Sequence, residues 1–351
     1  MHRDFYLELA RSGLRMPIGT DLVLREQAEP GRILLDGRRL GCVVAAAAGR
    51  YRTPLAFPLM DLTLEKADLL GLIGVRGGET ECFHFQEVPQ SSVMERVCDT
   101  TAAPASPRIR ANCEAVRYIA TATDLVPVGM VIGPFSLMTK LLTDPIAPVA
   151  LAGAGITGEE NAEVRLAEGC LEMAVAAVLR SAKAQIDAGA KAMIVCEPAA
   201  NIAYISPRQM HGGADIFSRF VLDPNRRLRK MLGESGVDLI FHNCGELRTE
   251  MVRRFAAELE PAILSLGSSR RLWEDAAVVP QNIVLFGNLP TKAFFSDTMM
   301  PLAEVVRRTI ELKDRMAACG HPFILGSECD VLHVADAGDA IRSKVAAMLS
   351  A

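Results

Sequence analysis

The chain has 351 residues, 50% hydrophobic and 23% charged, with a net charge of −4. Well-mixed charges with a slight acidic excess exclude the basic face that holds a phosphate backbone, so no nucleic acid partner is expected. No stretch approaches the roughly 18 apolar residues of a membrane span, and no apolar run of signal-peptide length follows Met1; the expectation is a cytoplasmic protein with no membrane partner.

Residues 1–120 lack a regular rhythm. Leu22 to Leu24 is the best early strand candidate, and Leu55 to Leu59 is a clearer one. Leu72-Ile73-Gly74-Val75-Arg76-Gly77-Gly78-Glu79 reads as a short strand entering a hairpin turn at the glycine pair. The whole segment is expected to be an N-terminal extension packed against the rest. From about residue 120, short apolar runs alternate with longer amphipathic ones, the β-then-α rhythm of a parallel sheet. The runs are Val126 to Ile132, Ala192 to Cys196, Asp238 to Phe241, Ala262 to Leu266, Ile283 to Phe286 and Pro322 to Leu325. Leu302, Val305, Val306 and Ile310, opened by Pro301, predict one of the helices that cover the sheet. The expected architecture is α/β: a (β/α)8 TIM barrel with an N-terminal extension, a single domain over 1–351. An open doubly wound sheet is the alternative.

Several strands finish in a reactive residue. Asp61 follows Phe57-Pro58-Leu59-Met60, Glu197 follows Ile194-Val195-Cys196, His242 follows Leu239-Ile240-Phe241, and Cys329 comes shortly after Phe323-Ile324-Leu325. In a barrel all these ends open on one face, where its chemistry is found. His242 and Cys244 stand one residue apart in Phe241-His242-Asn243-Cys244-Gly245, so in an extended segment both point to one side. With Cys329 they make three N/S ligands, which suits a catalytic zinc with an open position. Two thiolates cancel the metal's charge, and the resulting modest Lewis acid suits a substrate thiol better than water. Glu197 and Asp61 are the catalytic candidates, able to hold a substrate, support the histidine or fill the open position. A helix or turn cap is the plainer reading of either. Asn201 and Tyr204 are placed to line the same mouth. The other cysteines are scattered without a pairing pattern and read as packing residues, Cys196 less clearly so. Gly153-Ala154-Gly155-Ile156-Thr157-Gly158 matches GxGxxG, but Asp144-Pro145-Ile146-Ala147-Pro148 before it is a poor strand, so a plain helix start is expected there.

These pieces resemble the uroporphyrinogen decarboxylase superfamily, and within it the zinc-dependent, corrinoid-linked methyltransferases of the methylcobamide:coenzyme M type. The carriers are Pro54-Leu55-Ala56-Phe57-Pro58-Leu59-Met60-Asp61-Leu62-Thr63-Leu64-Glu65 and Ile132-Gly133-Pro134-Phe135-Ser136. Glu197-Pro198-Ala199 leading to Ile205-Ser206-Pro207, the His242-x-Cys244 pair and the distant Cys329 complete them. The resemblance implies a (β/α)8 barrel whose zinc is held by His242, Cys244 and Cys329. It also implies transfer of a methyl group between a corrinoid (methylcobalamin) on a separate carrier protein and a small acceptor, a thiol such as coenzyme M or a folate. The decarboxylase branch instead holds tetrapyrrole carboxylates with an Arg-Gln-Ala-Gly-Arg-Tyr motif. Here only Ala48-Gly49-Arg50-Tyr51 echoes it, with Ala46 and Ala47 where the arginine and glutamine belong. Tetrapyrrole decarboxylation and a non-catalytic corrinoid-binding barrel stand as the alternatives. The late cysteine also departs from the family's usual Gly-Cys setting followed by prolines: it lies in Ser327-Glu328-Cys329-Asp330-Val331, and the flanking acids bear on the charge at the metal.

Overall fold

The computed structural model describes residues 3–99, 105–211 and 213–351. Its eight strands are β1 (Arg15–Ile18), β2 (Leu55–Ala56), β3 (Val126–Ile132), β4 (Ala192–Cys196), β5 (Asp238–Asn243), β6 (Ile263–Leu266), β7 (Val284–Leu289) and β8 (Phe323–Asp330). All pair in parallel, in the order 1-8-7-6-5-4-3-2. This is the neighbour order of a (β/α)8 barrel, with the seam between β1 and β2. Side chains bridge that seam: Thr20 Oγ1 donates to the Phe57 carbonyl at 2.7 Å, and Thr53 Oγ1 lies 3.0 Å from Met16 Sδ.

Alternation along each strand sorts the core into two parts. Ile18, Leu55, Met130, Ile194, Ile240, Ile263, Phe286 and Ile324, one from each strand, share a single buried cluster that fills the barrel. Neighbours of opposite parity, such as Val131, Val195, Phe241, Leu264 and Leu285, pack outward against the helices. The N-terminal helix Arg3–Arg11 closes the bottom of the barrel. Its fully buried Tyr6 donates to Asp238 at the start of β5, and Arg3 donates to the carbonyls of Glu260, Pro261 and Asn282, which lead into β6 and β7. The opposite, C-terminal end is left for the site.

Several expectations for residues 1–120 are corrected. Leu22 to Leu24 lies in the helix Thr20–Arg25, and the first strand is Arg15–Ile18. At Leu72 to Glu79 the structure has no hairpin: the helix Leu64–Leu72 ends there, and Gly77 and Gly78 lead into the short helix Glu79–Cys82. The segment is therefore more than an extension, because it carries two barrel strands. The second of these is only two residues long, since Pro58 has no N–H to continue a ladder. Beyond its end, Gln185 from the helix Ala162–Asp187 stands in for the missing strand. Its side chain accepts from Met130 N at 2.9 Å and donates to Met130 O at 2.8 Å. The GxGxxG segment begins at the last residue of the helix Ile146–Gly153, and the turn after it leads to Asn161, whose side chain caps the next helix by accepting from Glu163 N and Val164 N; a helix start follows it, as expected.

Candidate metal centre at the barrel mouth

His242 lies on the inward face of β5, 1% exposed, and pairs across the ladder with Ser265 of β6. Its Nδ1 is 2.8 Å from Ser265 Oγ. Asn243, fully buried, pins the end of β5: its amide nitrogen donates to the carbonyls of Glu197 (2.7 Å) and Ala200 (2.9 Å), and its oxygen accepts from Gly245 N (2.8 Å). This holds the chain in the turn that presents Cys244. Two glycines make room for that turn. A Cβ on Gly267 would lie 2.7 Å from the Cys244 carbonyl oxygen, and one on Gly245 would lie 2.7 Å from the Pro198 carbonyl and from Asn201 Cβ.

Cys329 arrives from β8 with the help of a bulge. Between Met16↔Gly326 and Ile18↔Asp330, β8 advances four residues while β1 advances two. Strict alternation would put Cys329 on the outward side with Leu325, and a bulge re-aims side chains in this way. The ligand atoms of His242, Cys244 and Cys329 all lie within 4.8 Å of one another. The adjacent Cys329 thiol, with His242 and the positive charge of Lys292, holds Cys244 well below the ordinary thiol range against its burial. Cys329 correspondingly keeps its proton. Burial acting alone would lower Lys292, but the negative charge of Cys244, and then that of Glu328, raises it.

A metal's fit is tested by the histidine. His242 Nε2 is buried and has no hydrogen-bond partner among the described residues. With the proton on Nδ1, donated to Ser265, Nε2 offers its lone pair toward two sulfurs. One imidazole nitrogen and two thiolates form a donor set that zinc accepts well.

The other candidates stand outside this group. Glu197, fully buried, points its carboxylate at the first turn of the helix Pro134–Leu141, accepting from Phe135 N (3.3 Å), Ser136 N (2.5 Å) and Asn225 Nδ2 (2.8 Å). Burial raises its pKa against those bonds. Its backbone, by contrast, braces the site through Asn243. Asp61 accepts from Arg108 Nη2 (2.8 Å) and Thr63 Oγ1 (2.6 Å); these contacts outweigh burial and lower its pKa. Asn201 bonds to the backbone at Pro198 and Ala203 and packs beside Gly245, while Tyr204 meets Phe135 edge-on at 6.1 Å. Cys196, which faces His242 on the β4 and β5 ladder, is fully buried, and burial pushes its thiol well up.

Three more residues complete the surroundings: Glu328, noted in the sequence as an acid flanking Cys329, and Ser265 and Lys292, which sequence reasoning missed. Ser265 is the lone polar side chain in the apolar run Ile263–Leu266, a signal that was available. Glu328 accepts from Ser268 N and Oγ (3.2 and 2.6 Å) and from Lys292 N (3.3 Å), tying the β6 and β7 loops to β8. Lys292 has no sequence signal beyond being a loop lysine. Of the two acids beside Cys329, Glu328 is thus engaged by neighbouring loops, and burial lifts Asp330 to about 7.

Fold and site together define a parallel (β/α)8 barrel with a histidine and two cysteines gathered at its C-terminal mouth. Residues 55–340 match the family described as Uroporphyrinogen decarboxylase (URO-D), and the chain belongs to that family. A methyltransferase from Methanosarcina mazei superposes with a TM-score of 0.64 at 16% identity, over 95% of this chain and 92% of that one, which establishes the shared fold. The apo form of the 3-keto-D-glucoside 4-epimerase YcjR from E. coli superposes more weakly, with a TM-score of 0.37 at 14% identity over 69% of this chain and 86% of that one. A sequence search of curated proteins finds no match. Among the described residues, no helix is long and apolar enough to cross a membrane.

Proposed function

We propose that the protein is a zinc-dependent methyltransferase that moves a methyl group between a methylated corrinoid, carried by a separate protein, and a small acceptor thiol such as coenzyme M. The observation that carries this reading is the convergence of His242, Cys244 and Cys329, with His242 Nε2 buried and unpartnered. Zinc, when bound, supplies an open coordination position and favours the thiolate form of a thiol. His242 supplies a neutral nitrogen oriented by Ser265, and the two cysteines supply charge that keeps the centre near neutrality. Asn243, Gly245 and Gly267 fix the turn that presents Cys244. The likeness to a barrel named a methyltransferase agrees with this reading.

A second observation disfavours the decarboxylase alternative. Arg50, the one arginine of the echoed motif, is held by Glu26 through two hydrogen bonds of 2.8 and 2.6 Å, so it is not free to anchor a tetrapyrrole carboxylate. Ala46 and Ala47 lie within the helix Gly37–Arg50 and offer no substitute.

The decisive experiment is metal content per chain for the wild type and for Cys244→Ser and Cys329→Ser, followed by methyl transfer from methylcobalamin to thiols, monitored by cobalamin absorbance. The expected result is about one zinc in the wild type, with metal and transfer lost together in both variants. Wild-type protein free of zinc after purification and reconstitution would sink the proposal.

A further inference from the structure

Away from the metal centre, a cleft of about 520 Å3 opens on the flank of the barrel, between the helix Leu272–Asp275 that follows β6 and the helix Leu302–Cys319 that follows β7. Five arginines line it, Arg270, Arg271, Arg307, Arg308 and Arg315, against two acids, Glu274 and Glu311. In a chain of net charge −4 this is a concentrated cationic region. The five are not equivalent. Arg270 belongs to the framework: it donates to the fully buried Asp275 at 3.1 Å, to the Leu247 carbonyl at 2.9 Å and to Thr249 Oγ1 at 3.0 Å. Arg271, Arg307 and Arg308 pair with acids three or four residues away, Glu274 at 3.0 Å, Glu311 at 3.0 Å and Glu304 at 2.6 Å. Exposed pairs of this kind contribute little and yield to a stronger anion. Arg315 has neither an ion pair nor a hydrogen bond among the described residues; its guanidinium stands over the ring of Trp273, 5.9 Å from the centroid. Trp273, the single tryptophan of the chain, packs half-buried against the core and so fixes the stack.

We propose that this cleft binds the phosphate group of a small phosphorylated ligand, with Arg315, stacked on Trp273, as its fixed anchor. The size suits such a molecule, since clefts that hold small ligands run from roughly 300 to 1,000 Å3. The chemistry selects phosphate over a carboxylate. A carboxylate has one charge and two oxygens, which a single guanidinium fork satisfies. A phosphate monoester carries about two negative charges and three acceptor oxygens, so it can engage Arg315 and still draw neighbouring guanidinium groups away from their weak pairs. The stack matters because a guanidinium already held on an indole face has less side-chain freedom to lose when the ligand arrives. The inference is independent of the zinc reading, because no residue lining the cleft belongs to the metal group.

The single tryptophan gives a readout confined to this cleft. Wild type, Arg315→Gln and Arg253→Gln, which removes an exposed arginine outside the cleft, are titrated with inorganic phosphate and with glycerol 3-phosphate at constant ionic strength. Binding is followed by Trp273 fluorescence and by calorimetry, the latter because removing the guanidinium from the ring alters emission by itself. The expected result is a saturable change in emission for the wild type and Arg253→Gln, whether or not zinc has been added. Calorimetry should show binding weakened about tenfold in Arg315→Gln, with its circular dichroism unchanged. Equal saturation by acetate or chloride overturns the inference, since the cleft would then answer to any anion. So does wild-type affinity in Arg315→Gln. If phosphate changes neither emission nor heat while polyaspartate gives a saturable signal, the arginines dock an acidic protein segment and the phosphate site is refuted.

Discussion

Ser265 controls which nitrogen of His242 faces the sulfurs. The hydroxyl at 2.8 Å from Nδ1 is the partner that lets the imidazole carry its proton on the far side and turn a lone pair toward Cys244 and Cys329. Without it, the ring can place its proton on Nε2 and rotate about its side-chain bonds, and both changes compete with metal binding. Partners of this kind are commonly worth 10- to 100-fold in metal affinity. Ser265→Ala is therefore expected to weaken zinc binding by roughly that factor, measured by competition with a chelator, while Ser265→Thr, which keeps the hydroxyl, retains most of it. Equal affinities in the wild type and the alanine variant would show that packing alone orients the ring. The same scale explains why Glu197 and Asp61 read as equals of His242 in the sequence. All three end apolar runs, but side-chain direction within a strand decides between the inside and the outside of a barrel. Glu197 is one residue past the inward-facing Cys196, so its carboxylate turns to the amides of the helix Pro134–Leu141, while His242 stays inside.

Elements with strong periodicity were legible, and short or irregular ones were not. Strands β3 to β7 lie where apolar runs place them because each is buried on both faces and so is predominantly apolar. By contrast β1, with Pro17 inside it, and the two-residue β2 carry almost no pattern; what makes them strands is the neighbour each finds in the closed sheet. β8 extends to Asp330, well past its apolar run, because its bulge admits Ser327, Glu328 and Cys329 into the sheet. The helix Leu302–Cys319 buries Val305, Thr309, Leu312 and Met316, whereas Leu302 and Ile310 of the expected stripe are exposed. Pattern alone could not reveal the use made of Gln185, a buried polar residue of the helix Ala162–Asp187 that completes β3 where β2 has ended. Gln185→Leu keeps the bulk but strands Met130 N–H and C=O in the interior, at about 1 to 3 kcal/mol for each unpaired group. The expected loss is about 2 to 6 kcal/mol in urea unfolding. A loss well under 1 kcal/mol would mean that the β2 chain or water takes over both bonds.

At the scale of the whole molecule, the candidate metal cluster sits on a structure whose packing does not depend on it. Its ligands come from β5 and β8, which have β6 and β7 between them, so a metal would tie the mouth across that arc of the barrel. Beneath the mouth, however, side chains from every strand fill the interior, the helices cover the outside, and the N-terminal helix with Tyr6 closes the bottom. None of these contacts involves the ligands. A small metal-folded domain behaves differently, because there the metal replaces the missing core. Treatment with a strong chelator is therefore expected to leave the far-UV circular dichroism of this protein nearly unchanged while abolishing thiol binding. Restoring zinc should then raise the thermal midpoint in a concentration-dependent way, since ligand binding to the folded state alone stabilises by about 4 kcal/mol at a thousandfold excess over Kd. Melting curves at several free-zinc concentrations test both halves. If the chelated protein loses its helical signal, the ligands are part of the folding core, and the centre is structural; if the midpoint ignores zinc while the fold persists, the three side chains do not hold a metal.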